Sequence, residues 1–111
     1  MAVSGEFLDF ACDLFSGLGP VRSRRMFGGA GLYAEEVMFA LVADDVIYLK
    51  SDEALAAELE ARGCGPFIFE TKDGGATPMR YWRLPEDALD EESAALFWGR
   101  RALGVAITAK R

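Results

Sequence analysis

Residues 21–33 read VRSRRMFGGAGLY, and the interpretation of the whole chain depends on this stretch. It joins an amphipathic helix pattern on its N-terminal side to a series of strand patterns on its C-terminal side. Paired glycines inside a strand usually mark a bulge or a sharp bend. We therefore predict one long strand here, bent at Gly28 and Gly29, with Met26 and Phe27 as core anchors beside the bend.

The glycine cluster also resembles two nucleotide-binding motifs, and we reject both. The spacing Gly29-x-Gly31-x-x-Ala34 matches a loose dinucleotide fingerprint, but that fingerprint works only where a strand turns into a helix. Here Glu35 and Glu36 follow, and then another strand pattern, so two carboxylates would repel a phosphate. The Gly-Lys-Ser/Thr ending of a P-loop does not follow either. The glycines therefore predict backbone geometry rather than phosphate binding.

The patterns on both sides of this stretch predict the other elements. Ser4 or Gly5 can cap a first helix, whose apolar stripe is formed by Phe7, Phe10, Ala11, Leu14 and Phe15. After it, acidic connectors at 34–36 and 43–45 separate three strand patterns and indicate an antiparallel meander. A second helix begins at Ser51 or Asp52, buries Leu55 and Leu59, and ends at Gly63.

Two strands at 67–71 and 78–84 follow, joined by a turn at 72–76, and a long helix closes the chain. Asp90 caps that helix, and its apolar stripe contains Leu96, Phe97, Leu103 and Ile107. The chain is thus expected to be one α+β domain over residues 1–111, in the order α-β-β-β-α-β-β-α. Its sheet has five mainly antiparallel strands, with the helices packed on one face.

Composition limits the functions that the domain can have. The chain carries 18 acidic and 12 basic residues, a net charge of −6, which counts against nucleic-acid binding by the domain alone. The N-terminus lacks the features of a signal peptide, and no apolar run is long enough to cross a membrane, so we expect a cytoplasmic protein. Two cysteines without a pairing motif fit a reducing compartment.

The absence of histidine is the most informative fact about catalysis. It removes the usual proton-transfer group near neutral pH and the commonest zinc ligand. Cys64, between two glycines, could be a reactive thiol, but a small residue in a tight connector is the favoured interpretation. Carboxylates alone could still hold a metal ion, although none has calcium-loop spacing. We predict a protein that is not an enzyme and has no cofactor or metal site.

Arg22, Arg24 and Arg25 are the candidate partner-binding residues. In a strand, Arg22 and Arg24 face one way and Arg25 the other. Their guanidinium groups could bind the carboxylates of a protein partner or a nucleic-acid backbone. Neutralising the domain's own acidic helices and loops is the alternative, and surface arginines more commonly have that role.

The aromatic residues suggest two further functions. Tyr81-Trp82 and residues 67–69 could form a stacking platform for single-stranded nucleic acid, although aromatics on a sheet more often belong to the core. Tyr33, Tyr48 or Trp82 could instead line a pocket between sheet and helices. The function would then be that of a small-ligand-binding domain or minor enzyme.

Residues 24–33, RRMFGGAGLY, resemble the opening signature of the N-terminal domain of the TfoX/Sxy family. Further similar segments follow in register: residues 39–42, 48–50, 66–67 and 79–86, and Trp98 with Ala102-Leu103. The resemblance implies a secretion-chaperone-like α+β fold and a role in bacterial competence regulation. Full-length members of that family carry a second, C-terminal domain and act with the cyclic-AMP receptor protein to activate genes for DNA uptake.

The function expected from this resemblance is that of a non-enzymatic domain that regulates transcription through protein–protein contacts. The expected partner is the transcription machinery or a regulator like the cyclic-AMP receptor protein, and direct nucleic-acid binding is not expected. The chain ends at Arg111 and is expected to act as a stand-alone N-terminal domain. Pairing of edge strands could also make a homodimer.

Overall fold

The computed structural model describes residues 4–26, 29–70 and 76–110. Within these residues the chain forms three α-helices and six β-strands, with a short 3₁₀ turn at Ser16–Leu18 and another at Glu86–Leu89. The elements are α1 (Gly5–Leu14), β1 (Arg22–Met26), β2 (Gly29–Ala34), β3 (Val37–Ala43), β4 (Val46–Lys50), α2 (Glu53–Ala61), β5 (Pro66–Glu70), β6 (Ala76–Arg83) and α3 (Glu92–Lys110). The predicted α+β class is confirmed.

The sheet has six antiparallel strands in the order β1-β2-β3-β4-β6-β5, so the predicted number of five is wrong. The residues predicted to form one bent strand form two paired strands instead, with Arg22 opposite Tyr33 and Met26 opposite Gly29. The strands β1 and β2 therefore run in opposite directions. Pairing satisfies backbone donors and acceptors that a single edge strand would leave to water. Phe27 and Gly28 lie outside the described residues.

The core lies between the sheet and the helices. Helix α3 packs across β3 and β4, α1 lies against β1 and α3, and α2 lies against β6. A register shift in the β2–β3 pair leaves Phe39 without an opposite residue, and both Phe39 and Ala40 are fully buried. The Phe39 ring meets the Phe15 ring edge-on, with centroids 5.3 Å apart. This bulge therefore turns two successive residues of β3 toward the helices.

Two of the three helix starts follow the predicted capping chemistry. The third does not: α3 begins at Glu92, the Glu91 carbonyl accepts a hydrogen bond from the Ala95 amide, and Asp90 ends the 3₁₀ turn before it, so the prediction that Asp90 caps the last helix is wrong. The Ser4 hydroxyl accepts a hydrogen bond from the Phe7 amide at 3.0 Å and caps α1. Asp52 caps α2 by accepting from the Leu55 amide at 2.9 Å. Gly63, with a φ of 82°, follows the end of α2 in the left-handed conformation that favours glycine.

The predicted apolar stripes are only partly correct. Phe10 in α1 is 40% exposed and Phe97 in α3 is 53% exposed. Helix α3 instead buries Ala95, Trp98, Ala102, Leu103 and Ala106. Helix α3 approaches Phe15 so closely that a Cβ added at Gly99 would lie 2.8 Å from the Phe15 ring. This close approach explains why mainly small residues of α3 are buried. Small residues on this face of α3 let the helix pack closely, and Phe97 points elsewhere.

Both predicted acidic connectors are tight hairpin turns. Glu35 and Glu36 join β2 to β3 with φ of 49° and 67°, and Asp44 and Asp45 join β3 to β4 with φ of 52° and 57°. Two successive positive φ values are typical of type I′ turns, whose twist matches that of the paired strands. These turns fix the register of β2, β3 and β4.

Candidate interaction surface

The sheet face opposite the helices, here called the outer face, carries a continuous row of residues across five strands. In this central row, each residue lies opposite the next: Arg24, Gly31, Leu41, Tyr48 and Arg83. Opposite residues of an antiparallel ladder point to the same side of the sheet. The row therefore places an arginine at each end and apolar side chains between them.

The middle of the central row is apolar and partly covered by its neighbours. Leu41 and Tyr48 are half-buried, and the Tyr48 ring meets the Phe67 ring at 5.1 Å. Gly31 is buried because Met38 lies over it: a Cβ added there would lie 2.6 Å from the Met38 sulfur and 3.2 Å from the Met26 methyl. Met26 therefore covers the outer face, and the prediction that it anchors the core is wrong.

A second row, here called the end row, lies beside the central row toward the end of the sheet where the β2–β3 turn lies. It consists of Arg22, Tyr33, Met38, Lys50 and Tyr81. The Arg22 guanidinium lies 5.6 Å from the centre of the Tyr33 ring. The Lys50 ammonium lies 5.5 Å from the centre of the Tyr81 ring. Two cation–π contacts thus hold the basic groups of this row against its own aromatics.

The acidic residues of the domain lie elsewhere. Among the described side chains, no residue of the two rows is acidic; carboxylates occupy the turns at the strand ends and the helices. Carboxylates do come close at the ends of the rows. Glu36 lines a shallow depression with Met38, Lys50 and Tyr81, and Asp45, Glu86 and Asp90 line another with Arg83. The net charge of −6 is therefore unevenly distributed, and the outer face is the basic side of an acidic domain.

The structure separates the three arginines that the sequence grouped. Arg22 and Arg24 lie on the outer face. Arg25 points to the helix side, where its guanidinium lies 3.8 Å from the position of a Cβ at Gly5. Sequence reasoning missed Arg83 and Lys50 as members of the same surface. Alternation does place Arg83 on the face of Tyr81, but cross-strand register alone shows that Arg24 and Arg83 end one row.

The structure places the three aromatic residues of the predicted ligand pocket on different faces of the sheet. Tyr33 and Tyr48 lie on the outer face, so the prediction that they line a cleft between sheet and helices is wrong. Trp82 packs against the core and lines a depression of about 290 Å³. The pKa of Tyr81 is raised, first by burial and then by the nearby Tyr33. The two tyrosines of the end row thus come close together on a partly desolvated surface.

We expect the Tyr81 phenol to ionise at a higher pH than an exposed tyrosine, whose pKa is about 10. Because the folded-state pKa is raised, the neutral phenol stabilises the folded domain below about pH 10, and this contribution is lost as the pH rises through the raised value. Ultraviolet titration of tyrosinate in the wild type and in Tyr81→Phe gives the measurement by difference. A Tyr81 transition at or below about pH 10 would contradict the burial that we describe.

Both cysteines are free thiols, and the described residues bring no cluster of metal ligands together. Cys64 is buried, and the pKa of Cys12 is raised, chiefly by burial, against an opposing hydrogen bond with Ser23. Across residues 4–26, 29–70 and 76–110, no three His, Cys, Asp or Glu side chains lie close enough to share a metal ion. No helix in the same ranges is long and apolar enough to cross a membrane.

Comparison with known proteins identifies the family. A family model described as the TfoX N-terminal domain matches residues 13–106. The DNA transformation protein TfoX of Haemophilus influenzae is 32% identical over 91 residues, which cover 80% of this chain and 42% of that protein. The DNA transformation protein TfoX1 of Aliivibrio fischeri is 42% identical over 69 residues, which cover 62% of this chain and 32% of that protein. The chain thus matches less than half the length of either relative, and it belongs to the TfoX N-terminal domain family.

Proposed function

We propose that this domain is a non-enzymatic regulatory module that controls transcription of DNA-uptake genes through protein–protein contacts. The relatives are named as DNA transformation proteins, which supplies the biological context. The observation that carries the proposal is the outer face, where the partly exposed side chains of Leu41 and Tyr48 lie between Arg24 and Arg83. Such a surface suits contact with another macromolecule better than it suits chemistry.

The partner in this proposal is a component of the transcription machinery or a regulator like the cyclic-AMP receptor protein. The net charge of −6 supports a protein partner, because a domain that bound DNA by itself would be repelled by the phosphates. Any contribution to DNA recognition is then indirect, through a protein that binds DNA itself.

Deletion of the gene from its own host tests the proposal. We expect lower transformation frequency and lower transcript levels of DNA-uptake genes, and recovery of both when the wild-type chain is supplied from a plasmid. Arg24→Glu should fail to restore them, whereas Arg25→Glu, on the opposite face of the same strand, should restore them. Unchanged transformation and unchanged transcripts after deletion would overturn the regulatory function.

Small-ligand binding is the second candidate, and a groove of about 550 Å³ favours it. Three basic residues and one acidic residue, Asp52, line this groove, so an anionic metabolite would be the expected ligand; the basic residues are Lys50, Arg80 and Arg101. However, Arg101 already binds Glu58 at 2.6 Å and lowers the pKa of that carboxyl. Thermal-shift screening with anionic metabolites tests it, and a flat response across a broad library would argue against this candidate.

A further inference from the structure

We propose that the outer face docks an amphipathic helix of a partner protein. The apolar stripe of that helix lies along the central row, over Leu41 and Tyr48, and acidic residues near its two ends reach Arg24 and Arg83. This inference rests on the proposed function and adds to it the class of partner and the residues that bind it.

The apolar part of the surface points to a covered face. One-sided antiparallel sheets normally alternate apolar residues toward the core with polar residues toward water. Here the outward residues of the middle strands include Met38 and Leu41 on β3 and Tyr48 on β4, with Phe67 against Tyr48. All four are half-buried by one another and remain in contact with water. An additional apolar layer would remove them from water.

Arg24 and Arg83 indicate where the acidic residues of the docked helix lie. Arg24 and Arg83 are exposed and lie at the two ends of a row that crosses five strands. With about 4.8 Å between neighbouring strands, their backbones are about 19 Å apart. A helix rises about 1.5 Å per residue, so carboxylates about 12 residues apart match that span. A helix also satisfies its own backbone hydrogen bonds, so it can lie on an apolar face without needing a sheet edge.

A second copy of this chain fits the face poorly. If two outer faces met, Arg24 and Arg83 of each copy would face a surface whose described rows contain no carboxylate. If two β1 edges paired, Arg22, Arg24 and Arg25 of one copy would lie along the same arginines of the other. Like charges set opposite each other destabilise a strand pair and an interface. Charge complementarity therefore favours an acidic partner over self-association.

Single-stranded nucleic acid also fits poorly. Bases stack on open aromatic ring faces, but Arg22 lies over Tyr33 and Lys50 lies over Tyr81. The Tyr48 and Phe67 rings contact each other edge-on. Arg24 and Arg83 lie at opposite ends of the central row rather than along a continuous basic track. The acidic helices and turns around the face would add repulsion.

Fluorescence anisotropy with the purified chain tests the inference directly. The probe is a labelled synthetic helix with a leucine stripe and glutamates about 12 residues apart. The matched control peptide has lysines in place of those glutamates. We expect the glutamate peptide to bind, the lysine peptide to bind at least about tenfold more weakly, and backbone amide NMR shifts to map to the central row.

Charge reversal on the domain supplies the decisive comparison. The double variant Arg24→Glu/Arg83→Glu should lose at least about tenfold in affinity for the glutamate peptide and gain affinity for the lysine peptide. The control is Arg25→Glu/Arg100→Glu, which makes the same change of net charge on the helix side of β1 and on α3. This control should change the affinity by less than about twofold. Circular dichroism establishes that both variants fold.

Four results would overturn the inference. Two of them concern the peptides: equal binding of the glutamate and lysine peptides, or an equal loss of affinity in the two double variants. The other two are tighter binding of a labelled single-stranded oligonucleotide than of the glutamate peptide, and a concentration-dependent dimer in sedimentation that the Arg24→Glu/Arg83→Glu change abolishes. These measurements use purified chain alone. If they fail while deletion still lowers DNA-uptake transcripts, the regulatory function stands and only the docking site is wrong.

Discussion

Replacement of Phe39 by alanine is expected to lower the free energy of unfolding by about 3–5 kcal/mol, a large part of the roughly 5–15 kcal/mol that stabilises a typical domain. The Phe39 ring is fully buried and packs edge-on against the buried ring of Phe15. Alanine would remove the ring and leave a cavity between β3 and the end of α1. The surrounding core is held by the sheet on one side and α3 on the other, so it can collapse only partly into that space.

Urea unfolding followed by circular dichroism measures this loss as a lower midpoint at an unchanged slope. Leu41→Ala is the matched control, because Leu41 lies two positions later on the same strand but faces outward and is half-buried. Its cost should be clearly smaller, at most about 2 kcal/mol. A loss below about 1 kcal/mol for Phe39→Ala would contradict the bulge that turns this ring into the core.

Replacement of Gly29 by alanine is expected to cost about 1–3 kcal/mol, although it adds a single methyl group. The added Cβ would lie 2.5 Å from the carbonyl oxygen of Val42 on the neighbouring strand. That oxygen is part of the backbone, so relief requires β2 and β3 to move apart at this end. The substitution therefore weakens the pairing of β2 with β3, and movement of a side chain cannot relieve the clash.

Two other glycines provide controls for the same unfolding measurement. At Gly31 an added Cβ would meet the Met38 sulfur at 2.6 Å, which is part of a flexible side chain that can turn aside. At Gly65 nothing lies within 4 Å, so alanine should be nearly neutral. We expect the order of cost Gly29, then Gly31, then Gly65. Equal costs at Gly29 and Gly65 would show that the β2–β3 pair is looser than described.

The sequence predicted features that depend on neighbouring residues along the chain. Ser4 and Asp52 cap helices because a side-chain oxygen three residues before an amide can reach it whatever the tertiary fold. The two acidic turns were predicted for a similar reason, since turn chemistry is local. The family signature placed the chain among TfoX N-terminal domains, and the match over residues 13–106 confirms it.

The failures have a common physical origin. The sequence of residues 22–33 is compatible with one bent strand and with two paired strands. Only the pairing of β1 with β2, seen in the tertiary structure, distinguishes the two arrangements. Phe10 and Phe97 satisfy helical periodicity, but close packing of α3 at Gly99 selects alanines for the buried face. The bulge at Phe39 breaks the period of two, so alternation could not predict which side of β3 faces out.

For the candidate surface, the sequence by itself determined the alternation that places Arg22 and Arg24 on one side of a strand and Arg25 on the other. Alternation is a property of the extended backbone and needs no partner strand. Only the tertiary structure decided that Arg24 and Arg83, nearly sixty positions apart, end one row over Leu41 and Tyr48. That juxtaposition depends on strand order and register, which are fixed by core packing and by hydrogen bonds between segments distant in the chain.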